Sequence, residues 1–98
     1  MAKYRILVAD GARVGEVEAE PIKLIVQPDF DFIIYRDPGN CYWVVAEVST
    51  GHAVSFRRPT REEAIASAED RIAKAGDKVR GIVENAAFEF ALKVAATF

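Results

Sequence analysis

Along the first half of the chain apolar and polar positions alternate with the period of two that marks β-strands, and along the last third the period lengthens to that of helices. Lys3 to Ala9 and Ala12 to Glu20 alternate on either side of Asp10-Gly11, a pair suited to a two-residue type I′ turn. Setting Ala9 against Ala12 brings Arg5 opposite Glu16, Lys3 opposite Glu18 and Tyr4 opposite Val17, pairs that favour an antiparallel hairpin. After Pro21, the run Ile22 to Gln27 reads as a third strand closed by Pro28-Asp29.

Two further strands, Asp31 to Arg36 and Cys41 to Val48, flank Asp37-Pro38-Gly39-Asn40, where proline presets φ and glycine permits chain reversal. Symmetric closure places Ile33 opposite Val44, Tyr35 opposite Tyr42, Ile34 opposite Trp43 and Phe32 opposite Val45. Ser49-Thr50-Gly51 suits a turn with glycine in the left-handed conformation, leading to a sixth strand from His52 to Arg57. That strand would set Val44 against Phe56, Ala46 against Val54 and Trp43 against Arg57. One face then carries Ile33, Tyr35, Tyr42, Val44, Ala46, Val54 and Phe56. The other carries Phe32, Ile34, Trp43, Val45, Glu47, Ser55 and Arg57.

Thr60-Arg61-Glu62-Glu63 has the spacing of a capping box and predicts a helix to about Ala75, with Ala64, Ile65, Ala68, Ile72 and Ala75 on one stripe and Gly76 beyond its end. A second helix, capped by Asp77 and running to about Ala96, shows a broad apolar face of Val79, Ile82, Val83, Ala86, Phe90, Ala91 and Val94. Phe88, Leu92 and Ala95 form a second stripe, so its C-terminal half is apolar on most of its circumference and expects cover on two sides. The fold class expected is α+β: a mainly antiparallel sheet of about six strands followed by two C-terminal helices packed on one face, in a single domain spanning residues 1–98.

Composition narrows the functions this fold can serve. The chain has 98 residues, 51% hydrophobic and 29% charged, with a net charge of -2, too little to steer it strongly toward nucleic acid or membrane. The stretch from Arg57 to Arg80 is slightly basic. One cysteine excludes an internal disulfide, no apolar run reaches the roughly 20 residues that span a bilayer, and the expected setting is the cytoplasm.

Cys41 and His52 are the sole thiol and imidazole, and the expected register separates them by about 23 Å, beyond the reach that nucleophile and base require. They cannot supply a metal ligand set. Asp29 and Asp31 flank Phe30 without the spacing of a calcium loop, and Glu16, Glu18 and Glu20 fit the outward side of a strand. Gly11 and Gly15 suit a hairpin, with no Gly-Lys-Ser/Thr to cradle phosphate. No catalytic residue, metal or cofactor is expected.

From Tyr42 to Ala75, the order of two strands and a Thr-Arg-Glu-Glu-Ala helix resembles the core of the HicB-type antitoxins, which implies an antitoxin-like role. It departs from that family in Ser49-Thr50-Gly51 and in a longer strand before the helix. The β-β-β-α order is also similar to double-stranded RNA-binding domains, but Arg61-Glu62-Glu63-Ala64 is acidic where those carry a basic helix start.

The function expected is a non-enzymatic protein-binding module, a homodimer of small accessory or regulatory character. Its partner surface would be Phe32, Ile34, Trp43, Val45 and Arg57 on the sheet, or Phe88 and Leu92 on the second helix. An alternative is a nucleic-acid-binding regulatory protein, antitoxin-like or a single-strand binder, using Trp43, Arg57, Arg58 and Arg61.

Overall fold

A computed structural model describes residues 2–8, 13–26, 29–37 and 39–97. Among these residues four strands form one antiparallel sheet in the order β1-β2-β3-β4: β1 Ala2–Val8, β2 Arg13–Ile22, β3 Phe32–Arg36 and β4 Trp43–Glu47. Two helices follow, α1 Arg61–Ala75 and α2 Lys78–Thr97. The α+β class holds, and the sheet has four strands where the alternation suggests six.

β1 and β2 pair in the expected register, with Lys3 across from Glu18, Arg5 from Glu16 and Tyr4 from Val17. The Asp10-Gly11 turn lies outside the described residues, as do Gln27 and Pro28. Pro21 does not open a new strand: β2 runs through it to Ile22, pairing Glu20, Pro21 and Ile22 with Ile34, Ile33 and Phe32 of β3. Among the described residues β1 pairs with β2 as far as Ala19, and Pro21 has β3 beside it. The apolar run beyond it is loop, with Leu24 buried in the core.

The β3–β4 hairpin closes two residues wider than symmetric closure requires, pairing Ile33 with Ala46, Ile34 with Val45 and Tyr35 with Val44. Asp37 N donates to Tyr42 O at 2.8 Å, and Cys41 N donates to Asp37 O at 2.8 Å while Cys41 takes φ 64°. The Asn40 side chain accepts from Tyr42 N at 2.9 Å and holds the wider loop. Because the slip is two residues, the faces of these two strands are unchanged.

The sixth strand does not form. Ala46 bridges Ala53 and Trp43 bridges Arg58, so the four residues Val54 to Arg57 lie across from only Val44 and Val45. Val54 N and Ser55 N both donate to Val45 O, and the Ser55 hydroxyl accepts from Val45 N at 2.8 Å. A side chain thus takes the place of a ladder carbonyl and the segment bulges. Trp43 therefore pairs with Arg58, not Arg57, and Val54 and Phe56 leave the face expected for them.

Thr60 caps α1 by accepting from Glu63 N at 3.2 Å, and Gly76 at φ 57° ends the helix with its N–H on Ile72 O. Ala64, Ala68 and Ile72 bury against Leu24, Phe32, Ile34 and Val45 to form the larger core cluster. The two alanines let the helix approach the sheet closely; each large apolar side chain so buried contributes about 1.5–3 kcal/mol.

Ile6, Ala19, Ile33 and Ala46 form a second cluster, ringed by Tyr4, Val17, Tyr35 and Val48. Leu7 N donates to Gly51 O at 2.9 Å, joining β1 to the turn after β4 although these belong to opposite ends of the strand order. A flat sheet would hold strands one and four about 14 Å apart, so the sheet curls upon itself and encloses this cluster.

Candidate interaction surface

α2 meets the rest of the molecule along one narrow line. Val79 joins the larger core, Val83, Ala86, Ala87 and Val94 are half-buried, and Phe90 is buried against Gly51. At about 100° per residue the face carrying Gly81, Asn85, Phe88, Leu92 and Ala95 lies nearly opposite that line. All five are exposed, Phe88 by 68% and Leu92 by 58%. The helix lacks a polar side because it places apolar residues both toward and away from its own domain.

The sheet residues expected to meet a partner are in a different situation. Phe32, Ile34 and Val45, expected at a partner surface, are exposed by 1% or less and covered by α1 of the same chain. Trp43 is half-buried at the margin of that core. α1 covers the face that period-two reasoning left open. Arg57 is exposed, and its charge acts on Tyr35, on the other side of the sheet from Trp43.

The basic residues of the crossover divide accordingly. Arg61 pairs with Glu20 at 3.0 Å. Arg58 and Arg71 have no carboxylate partner among the described residues and instead flank the Phe56 ring, at 5.5 Å and 4.3 Å from its centroid. Phe56 is 55% exposed, with its N–H held by the Ser67 hydroxyl at 3.0 Å. The sequence holds no signal for this cluster, because Phe56 and Arg71 sit on different elements and meet only through the bulge after β4.

Cys41 and His52 stand beyond opposite ends of β4, each exposed. From Tyr42 to Glu47 alone the extended chain covers about 17 Å, so the two side chains do not form a dyad. Asp29 pairs with Arg80 at 3.4 Å and Asp31 with Lys23 at 2.9 Å, so the two carboxylates answer to different cations. Among the described residues no group of three or more His, Cys, Asp or Glu is placed to hold a metal ion. A shallow cleft of about 330 Å³ lies among Tyr4, Ile22, Phe32 and Val48, with the exposed Lys23–Asp31 pair in its wall.

Two polar groups, the half-buried Tyr35 and the buried Glu47, serve structure. Burial is the main cause that raises the Tyr35 hydroxyl above its ordinary pKa; nearby Asp37 adds to the rise, and Arg57 opposes it. Glu47, buried, accepts from Ser49 N at 2.8 Å, Ser49 Oγ at 2.7 Å and Thr50 N at 3.0 Å, and so fastens the turn after β4.

Among the described residues no helix is long and apolar enough to cross a membrane. Comparison with protein-family models, with curated proteins and with solved structures finds no match for this chain. Of the two strands and helix on which the likeness to the antitoxin core was drawn, the stretch from Tyr42 to Ala75 keeps β4 and α1, and the second strand is absent.

Proposed function

We propose that this chain is a non-enzymatic protein-binding module that associates with a second copy of itself through the outer face of α2. The supporting observation is the exposure of Phe88 and Leu92 opposite the line on which α2 meets its own domain. Gly81, Asn85, Phe88, Leu92 and Ala95 follow one another at spacings of four, three, four and three, the alternation of a two-helix seam. A polar Asn85 within such a seam is the kind of residue that fixes register.

Size-exclusion chromatography with light scattering tests this. The expected mass is twice the 10.8 kDa of one chain. Phe88→Glu and Leu92→Glu should each return it to one chain with an unchanged circular dichroism spectrum. A wild-type monomer at high concentration, or a dimer indifferent to both substitutions, would overturn the reading.

A second reading is favoured by one observation, the pair of arginines beside Phe56. Guanidiniums held on an aromatic ring keep their outer edges free for phosphate oxygens and can stack a base, as single-strand binders do. It moves the nucleic-acid alternative from Trp43, Arg57 and Arg61 to Phe56, Arg58 and Arg71. Fluorescence anisotropy with a labelled single-stranded RNA should then show binding that weakens with salt and is lost in the Arg58→Ala/Arg71→Ala double variant. Binding that is absent at low salt, or unaffected by the double variant, removes it.

A further inference from the structure

We infer that the two α2 helices of the dimer pair antiparallel, with Phe88 of each chain against Leu92 of the other; this rests on the self-association proposed above. Two antiparallel helices pack each position of one type against the other type on the partner, so the residue numbers of facing positions have a constant sum. One setting places Phe88 against the partner's Leu92 and, at both ends, Asn85 against the partner's Ala95. The two largest exposed side chains of the face then bury each other, and Asn85 falls at the margin where water reaches it. Shifting by one heptad sets Asn85 against the partner's Phe88, which would strip the amide of water with no polar group opposite.

The parallel arrangement is poorer on the same residues. It stacks Gly81 on Gly81, leaving a gap, and Phe88 on Phe88, the widest possible layer. It also brings Glu84 of each chain beside the partner's Glu89, two like-charge contacts at the flanks, where the antiparallel pair has one, between the two Glu89 side chains. Ala91, exposed on the seam's other flank, meets its own copy across the two-fold axis in the antiparallel pair and lets the helices close.

Disulfide trapping in a Cys41→Ser background separates the arrangements. Ala91→Cys places a thiol at the two-fold axis of the antiparallel pair. Gly81→Cys is a free-standing position, since a Cβ there meets nothing within 4 Å. In the antiparallel setting its two copies are about 27 Å apart along the seam, and in the parallel one they face each other. Under mild oxidation the Ala91→Cys chain should run as a covalent dimer on a non-reducing gel, at least about tenfold faster than Gly81→Cys, as disulfide geometry demands. Trapping of Gly81→Cys alone would overturn the antiparallel pairing and leave self-association standing. A light-scattering dimer that traps at neither position would overturn the pairing of Phe88 with the partner's Leu92, and a monomer would overturn self-association itself.

Discussion

The Phe90 ring lies so close over Gly51 that a Cβ on that glycine would stand 2.6 Å from Phe90 Cε1 and 3.1 Å from the backbone nitrogen of Leu7. Gly51 also holds φ 68°, a left-handed conformation that side chains disfavour. One position thus joins β1, the turn after β4 and α2.

Gly51→Ala should therefore lower the unfolding free energy by about 2–4 kcal/mol, combining backbone strain with steric overlap. Urea denaturation measures it. In a Phe90→Ala background the same substitution should cost less, because the overlap with the ring is gone while the strain and the approach to Leu7 remain. Equal costs in both backgrounds would show that Phe90 does not limit the space at Gly51.

Glu47 satisfies three donors of the turn after β4 from a buried position. Glu47→Ala leaves those donors without their acceptor and should destabilise by about 2–4 kcal/mol. Glu47→Gln keeps the shape and the acceptor for Ser49 Oγ and Thr50 N but turns an NH2 toward Ser49 N, and should lose less than Glu47→Ala. A thermal unfolding series on the three proteins tests the order.

Tyr35 has a raised pKa, chiefly through burial, so folding favours its neutral form. The contribution is present in full below the ordinary tyrosine value of about 10 and is lost as pH rises from there through the folded value. Urea midpoints should fall as pH rises above about 10, and less steeply in Tyr35→Phe. Identical slopes in the two proteins would remove Tyr35 as a source of alkaline sensitivity.

Ile34 and Phe88 are both large and apolar, and their surroundings set opposite outcomes. Ile34→Ala opens a cavity beneath α1 and should cost about 2–5 kcal/mol. Phe88→Ala, on the free surface of α2, should stay within about 0.5 kcal/mol for the isolated chain and act on association instead. Denaturation at low protein concentration, alongside light scattering, separates the two.

Local signals carried much of the architecture. Opposite charges set the β1–β2 register, Thr60 and Gly76 set the ends of α1, and Ser49-Thr50-Gly51 marked the left-handed glycine, because each depends on neighbours in sequence or on one strand partner. The sequence also left Phe88 and Leu92 without a place in the core. Tertiary structure alone decided the rest. Pro21 continues β2 because β3 pairs with it, and the sixth strand dissolves because the Ser55 hydroxyl reaches Val45. The face of Phe32, Ile34 and Val45 is core, not surface, because α1 lies on it while the sheet curls to close the other side. Such outcomes depend on which elements compete for one apolar face, and alternation marks a face as apolar without saying what will cover it.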